Sequence, residues 1–159
     1  MFLKVFSFVK MPLVVIFLIA MGRFIIGISG VPYAPRGNAM FSVVNTMLLS
    51  SLYFGALSSP VGRFSWTETI LIGLIIAEFA EILIWIMTFV SLVGNLQSSY
   101  FIHWDSLNVK EGTEIGYRAL IPRTVALFTA PIPCILLACL GRIVFSRFIP
   151  LPAQASGGR

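Results

Sequence analysis

The fold is decided by the stretch AMFSVVNTMLLSSLYFGAL, residues 39–57, which contains no charged side chain. As an α-helix with a rise of about 1.5 Å per residue, it would cross most of the roughly 30 Å hydrocarbon core of a bilayer. An uncharged apolar run of this length is typical of a transmembrane helix. We therefore predict that residues 39–57 form a membrane span.

The composition of the whole chain agrees with this interpretation. Its 159 residues are 58% hydrophobic and 11% charged, whereas soluble domains average about 45–50% apolar and 25% charged residues. Intrinsic disorder is excluded, because disordered chains contain few apolar residues and carry a high net charge. The net charge of +5 comes from basic residues that stand singly between apolar segments. We therefore expect the lipid bilayer, and no nucleic acid, as a partner.

Three further apolar stretches have the length of membrane spans. They cover residues 11–29, 66–93 and 123–148. The sequence thus predicts an all-α, polytopic membrane protein whose single domain, residues 1–150, contains four transmembrane helices. The first stretch follows two lysines and also has features of a cleaved secretory signal, but its interruption by Arg23 favours a retained span. Residues 151–159 are rich in Pro, Gly and small polar side chains, which predicts a disordered tail.

Two local signals refine the third and fourth helices. Ser65 and Glu68 have the spacing of a capping box, so the third helix should begin at Trp66. Pro131 and Pro133 interrupt the fourth stretch. Each proline removes a backbone donor, so we expect the fourth helix to kink there.

A long loop, residues 94–122, separates the third and fourth stretches and holds much of the polar chemistry. Its aromatic residues are Tyr100, Phe101, Trp104 and Tyr117. Aromatic side chains favour the membrane interface, so we expect this loop to lie partly on the membrane surface. Its candidate site residues are His103, Asp105 and Arg118, on which a membrane enzyme acting on a lipid or quinone would draw. For His103 and Asp105, a solvated pair in the loop is the simpler interpretation.

The distribution of positive charge favours one orientation. Four spans would place both termini on the same side of the membrane. That side would carry Lys4, Lys10, Arg63, Arg142, Arg147 and Arg159, and the opposite side Arg36, Lys110, Arg118 and Arg123. Because cytoplasmic segments carry an excess of Lys and Arg, we expect both termini in the cytoplasm.

Three ionisable residues fall inside the apolar stretches: Arg23 in the first, and Glu78 and Glu81 in the third. A charge at the centre of a bilayer costs about 2.5–3.5 kcal/mol on insertion scales, so such residues usually face the bundle and have a partner. Arg23 and Glu81 each share a helix face with small residues, Gly73 among them, and their depths match. We therefore predict an ion pair between Arg23 and Glu81. Asn45, at a similar level, completes the predicted intramembrane polar cluster.

The cluster of Arg23, Asn45, Glu78 and Glu81 admits three interpretations. It can be a structural clamp that fixes the register of the helices. It can be a proton or ligand site in which Glu78 is the carboxylate that Arg23 leaves unneutralised. It can also be completed by another subunit, which would contact Glu78 and Trp85 on one face of the third helix.

No complete catalytic constellation is visible in the sequence. The single histidine excludes a haem bound by two histidines of one chain. Cys134 and Cys139 lie on different faces of one predicted helix and suit neither a disulfide nor a zinc site, so we expect no metal and no cofactor. The favoured function is a non-enzymatic subunit or scaffold of a membrane complex, with other membrane proteins or further copies of the chain as partners. The alternatives are a proton-coupled small carrier that uses Glu78 and Glu81, and a membrane enzyme acting on a lipid or quinone.

Overall fold

The structure is a computed structural model that describes residues 1–33 and 42–148, and every regular element in these residues is a helix. The five α-helices are α1 (Phe2–Ile28), α2 (Val43–Ser58), α3 (Trp66–Val93), α4 (Leu120–Thr129) and α5 (Pro131–Phe148). Two short 3₁₀ helices, Asp105–Leu107 and Tyr117–Ala119, lie in the segment between α3 and α4. The predicted disordered tail, residues 151–159, lies outside the described residues.

Three helical segments are long and apolar enough to cross a membrane. They are Phe2–Ile28, Trp66–Val93 and Tyr117–Phe148. Helix α2 is also apolar, but its 16 residues rise only about 24 Å, which is less than the roughly 30 Å hydrocarbon core. The predicted all-helical class is thus confirmed, with three long apolar helices and one shorter one. The first residues of the predicted second span, 39–41, lie outside the described residues.

Helix α1 begins earlier than the sequence predicts. It includes Lys4 and Lys10, which the sequence analysis placed ahead of the first span. The Lys4 ammonium lies 4.5 Å from the centroid of the Phe64 ring, in the turn between α2 and α3. Val5 and Val9 of the same segment are fully buried. The start of α1 therefore packs on the bundle instead of extending away from it.

Helix α3 begins where the capping box predicts. The Ser65 hydroxyl accepts a hydrogen bond from the backbone N–H of Glu68, and the Glu68 carboxylate accepts one of 2.8 Å from the backbone N–H of Ser65. These two bonds satisfy amide groups that the start of a helix leaves without intrahelical partners.

The predicted interruption of the fourth stretch is present. Helix α4 ends at Thr129 and α5 begins at Pro131, with Ala130 between them. Pro131 and Pro133 have no backbone N–H, so two of the hydrogen bonds that would continue a single helix cannot form. One helix is thereby divided into α4 and α5.

Glycines allow α5 to pack closely against α2 and α3. A Cβ atom on Gly55 of α2 would overlap the backbone of Ala138, and one on Gly73 of α3 would lie 2.8 Å from the carbonyl oxygen of Cys134. Small residues permit such approaches between membrane helices. The sequence analysis placed Gly73 on a face that meets α1, and this was wrong, because Gly73 faces α5.

The bundle has two ends, which are named here for what they contain. The terminal end holds the start of α1, the turn between α2 and α3, and the last turns of α5, as the contacts of Lys4 with Phe64 and of Arg142 with Ser65 show. The loop end holds the end of α1, the start of α2 and the segment between α3 and α4. Between the ends, the fully buried side chains include Ile16, Met47, Ile72 and Ile76. Large apolar side chains such as Leu18, Leu49 and Leu136 are more than half exposed on the outer surface.

Candidate functional site

Part of the segment between α3 and α4 folds into the loop end of the bundle. Residues 100–102 are buried. The Ser91 and Ser99 hydroxyl oxygens lie 2.6 Å apart and join this segment to α3. It also fits closely against α1, since a Cβ atom on Gly27 would lie 2.7 Å from the backbone nitrogen of Tyr100. The segment therefore brings aromatic side chains to the charged residues of the helices.

Arg23 of α1 lies against three aromatic rings, called here the aromatic cage: Tyr33, Tyr100 and Phe101. Its guanidinium carbon is 5.5 Å from the centroid of the Tyr33 ring and 5.7 Å from that of Tyr100. The centroid of Phe101 is 5.8 Å away, and Arg23 Nη2 donates a 3.5 Å hydrogen bond to the Tyr33 hydroxyl. A cation over an aromatic face contributes about 0.5–1 kcal/mol when exposed and about 2 kcal/mol when desolvated. The cage therefore binds the Arg23 charge without a carboxylate.

The predicted ion pair between Arg23 and Glu81 is not formed in the part of the chain that the structure describes. Glu81 is only 5% exposed, and the charged groups that act on it are Arg123 and Glu78. The physical reason is the folded loop segment, which supplies Arg23 with aromatic partners, while Arg123 approaches Glu81 from α4. The equal depths of Arg23 and Glu81, and the small residues beside each of them, were insufficient to identify the partner of Glu81.

The other two members of the predicted cluster form no hydrogen bond with Arg23 among the described residues. Asn45 is exposed in the first turn of α2, where its backbone N–H donates a 3.2 Å hydrogen bond to the Ser42 hydroxyl. Glu78 is half-buried midway along α3. Among the four predicted residues, Glu78 acts electrostatically on Glu81.

Arg123 is the main site residue that the sequence analysis missed, since it was counted only as a positive charge of the loop. Its Nη2 donates hydrogen bonds to the carbonyl oxygens of Phe101, at 3.4 Å, and Ser106, at 3.2 Å. Its Nε is buried and has no hydrogen-bond partner among the described residues. Arg123 interacts electrostatically with both Glu81 and Arg23. The sequence feature that could have indicated this role is the position of Arg123 as a single arginine at the start of an apolar stretch.

Arg23 and Arg123 line one cavity at the loop end, with a volume of about 100 Å³. A single water molecule needs roughly 10–15 Å³ of such volume, so the cavity can hold a group considerably larger than water. The hydroxyl-bearing residues Ser42 and Ser106 contribute to its wall, and Ile84 of α3 lines it on the apolar side.

The three candidate residues of the loop do not form a common site. The rings of His103 and Tyr33 are stacked with their centroids 4.1 Å apart. His103 Nδ1 accepts a 3.3 Å hydrogen bond from the backbone N–H of Asp105. The Asp105 and Arg118 side chains are exposed. His103 therefore joins the outer side of the aromatic cage, whereas Asp105 and Arg118 do not.

The protonation of His103 follows from this position. Partial burial lowers the pKa of His103 below its ordinary value of 6.5, and the positive charge of Arg23 acts in the same direction. Asp105 and Glu111 oppose this shift without cancelling it. The lowered pKa favours the neutral imidazole, which suits its stacking on Tyr33.

The terminal end has a polar contact of its own. Arg142 of α5 donates hydrogen bonds to the Ser65 carbonyl oxygen, at 2.7 Å, and to the Thr69 hydroxyl, at 2.6 Å. Its guanidinium carbon lies 4.6 Å from the centroid of the Trp66 ring. Thr69 in turn donates a 3.0 Å hydrogen bond to the Ser58 hydroxyl at the end of α2. This contact joins α2, α3 and α5.

The chain is a helical bundle with helices that are apolar enough to cross a membrane. Two arginines of this bundle line one cavity at the loop end. Within residues 1–33 and 42–148, no group of three or more His, Cys, Asp or Glu residues could hold a metal ion. Comparisons of the chain with protein-family models, with curated proteins and with solved structures find no match.

Proposed function

We propose that the chain is a four-span membrane protein that acts as a non-enzymatic subunit or scaffold of a membrane complex. The fourth span in this proposal is α2. It lies alongside α5, where Gly55 meets Ala138 and Gly141 meets Leu52. A helix packed side by side with a spanning helix shares its depth, and a modest shortfall in length is accommodated by local thinning of the bilayer.

The proposed orientation has both termini in the cytoplasm. An even number of spans returns the chain to its starting side, and the terminal end carries more basic residues than the loop end. Lys4 and Arg142 both lie at this terminal end, as their contacts with Phe64 and Trp66 indicate. An excess of positive charge is typical of the cytoplasmic side.

The position of Glu78 is the observation that best supports the subunit role. It lies midway along α3 and is half-buried. In the described residues, the α3 side chains that form hydrogen bonds are Glu68, Thr69, Trp85, Thr88 and Ser91, and none of these bonds involves Glu78. A carboxyl group at this depth is costly without a partner, so a donor on a neighbouring protein's helix would stabilise it.

Trp85 is a weaker candidate for this contact than Glu78, although both lie on the same face of α3. Its indole Nε1 donates a 3.1 Å hydrogen bond to the Thr124 hydroxyl of α4. The indole is thus bound within the chain. We therefore restrict the proposed contact to Glu78.

The scaffold role also agrees with how the other charged side chains are used. Arg23 contacts the aromatic cage, and Arg142 bonds to Ser65 and Thr69. Both arginines bind atoms of the bundle itself, which supports a contribution to helix packing. Neither contact has the nucleophile and base that a catalytic site requires.

The proposal is tested by purifying the tagged full-length chain in a mild detergent and measuring the mass and stoichiometry of the complex. We expect a stoichiometric partner, either another membrane protein or a second copy, that is lost in Glu78→Ala. The matched control is Glu114→Ala, since Glu114 is exposed in the loop, and this variant should keep the partner. A monomeric wild-type chain, or a complex that survives Glu78→Ala, would contradict the proposal.

A proton-coupled carrier is the second candidate, and the burial of Glu81 is the observation that favours it. Glu81 is almost fully enclosed and interacts electrostatically with Glu78 and Arg123, an arrangement typical of intramembrane proton sites. The test is proton flux in liposomes containing the purified chain. Flux that is abolished by Glu81→Gln would support the carrier, and its absence in the wild type would eliminate it.

A further inference from the structure

The cavity at the loop end combines three sources of positive potential. Arg23 of α1 and Arg123 of α4 line it from two sides. Ser42, Val43 and Val44 also line it, and they are the N-cap and the first two residues of α2. The start of a helix carries a partial positive charge and amide groups without intrahelical acceptors, so it favours anions.

The hydrogen-bond acceptors of the two arginines in the described residues are neutral groups. Arg23 donates to the Tyr33 hydroxyl, and Arg123 donates to the carbonyl oxygens of Phe101 and Ser106. All six acidic side chains of the sequence lie in the described residues, and none of these three hydrogen bonds ends on a carboxylate. Glu81 interacts with Arg123 from α3. Glu81 thus acts on Arg123 and not on Arg23, so this carboxylate does not balance the charge of both guanidinium groups.

The buried Nε of Arg123 strengthens this argument. It has no hydrogen-bond partner among the described residues, and a buried donor without an acceptor costs about as much as the desolvation of that group. Arg23 and Arg123 also repel each other, since the positive charge of Arg23 acts on the Arg123 guanidinium. An anion between them would relieve the repulsion and supply acceptors for their free donors.

The size and walls of the cavity define the kind of anion. A volume of about 100 Å³ suits a compact tetrahedral or planar group and is too small for an entire phospholipid. Ser42 brings a hydroxyl group, whereas Val43, Val44 and Ile84 form an apolar wall. Arginines, a hydroxyl group and a helix start together are a typical set of ligands for phosphate.

We propose that this cavity binds a phosphate group, either of an anionic phospholipid or of a small phosphate-containing solute. The lipid source fits the position of the cavity beside an aromatic loop segment, because aromatic side chains collect at the depth of the headgroups. Phosphatidylglycerol should bind better than phosphatidylcholine, since the choline group would add a third cation near Arg23 and Arg123. The proposal is independent of the subunit role, which concerns Glu78.

The first experiment measures lipid binding by native mass spectrometry of the purified full-length chain with equal amounts of phosphatidylglycerol and phosphatidylcholine. We expect phosphatidylglycerol to be preferred, and Arg123→Gln to weaken its binding about tenfold or more. Arg118→Gln is the matched control, because Arg118 is an exposed arginine at the same end, and it should leave the preference intact. Arg123→Lys keeps the charge and should lose less binding than Arg123→Gln.

The second experiment distinguishes the two sources. Inorganic phosphate is titrated into the delipidated wild-type chain in a neutral detergent, and the melting temperature is recorded. Stabilisation by phosphate without a preference for phosphatidylglycerol would identify a solute, whereas a preference that depends on Arg123 would identify the lipid. If the wild type shows neither effect, or if Arg118→Gln weakens binding as much as Arg123→Gln, the proposal is overturned. The wild-type measurements decide the question even if a variant fails to fold.

Discussion

Arg142 and Thr69 join two helices at the terminal end through a hydrogen bond of 2.6 Å between Nη1 and Oγ1. The same guanidinium group donates to the Ser65 carbonyl oxygen, which belongs to the N-cap residue of α3. Hydrogen bonds to charged groups contribute about 1.5–3 kcal/mol when they are removed from water. This contact therefore stabilises the packing of α5 on α3.

We predict that Arg142→Met lowers the free energy of unfolding by about 1.5–3 kcal/mol, because it keeps the apolar stem and removes the hydrogen bonds. The measurement is denaturant unfolding of the purified chain in detergent. Arg147→Met is the matched control, since Arg147 is exposed near the end of α5, and it should change stability by less than about 0.5 kcal/mol. Equal effects of the two variants would show that the contact contributes nothing.

The close contact of α2 with α5 gives a second prediction. Gly55→Ala would place a methyl group in the backbone of Ala138, and such overpacking costs about 1–3 kcal/mol. Gly116→Ala is the control, because a Cβ atom at Gly116 would have no neighbour within 4 Å. Thermal melting of both variants checks the prediction. A tolerated Gly55→Ala would mean that α2 and α5 do not pack at this distance.

The position of His103 predicts a dependence of stability on pH. Its pKa is lowered in the folded chain, so the unfolded chain binds more protons on this group at pH values around and between the lowered and the ordinary pKa. Acidification from pH 7 to pH 5 should therefore reduce the free energy of unfolding. His103→Phe keeps an aromatic ring on Tyr33 and should remove this part of the pH dependence. Identical pH profiles of wild type and variant would refute the assignment.

The proposed topology is tested by labelling single cysteines in intact vesicles, in a background in which Cys134 and Cys139 are replaced by Ala. Leu3 and Val61 are exposed at the terminal end, and Glu111 is exposed in the loop. We expect Leu3→Cys and Val61→Cys to be labelled from the cytoplasmic side and Glu111→Cys from the opposite side. Labelling of Val61→Cys and Glu111→Cys from the same side would exclude four spans.

The helical class could be predicted from the sequence because apolar length and local capping chemistry depend on neighbouring residues. Ser65 and Glu68 placed the start of α3, and Pro131 and Pro133 placed the interruption after α4. The early start of α1 was not predicted, because a lysine beside an apolar stretch is typical of the boundary of a membrane span. Its ammonium is instead accommodated by the Phe64 ring.

The partners of the charged residues could not be predicted in the same way, because they depend on how a loop folds back. Nothing in the sequence around Tyr100 and Phe101 shows that these rings reach Arg23, which lies more than 70 residues away along the chain. Helix periodicity and depth limited the possible partners of Glu81 to cations at a similar depth in the bundle. They could not distinguish Arg23 of α1 from Arg123 of α4.

The central claim is that Arg23 is bound by the aromatic cage and is not paired with Glu81. Two double-mutant cycles on unfolding in detergent test it most directly, one with Arg23→Leu and Tyr100→Leu, the other with Arg23→Leu and Glu81→Leu. We predict a coupling energy of about 0.5–2 kcal/mol for Arg23 with Tyr100 and less than about 0.5 kcal/mol for Arg23 with Glu81. A larger coupling of Arg23 with Glu81 than with Tyr100 would contradict the account.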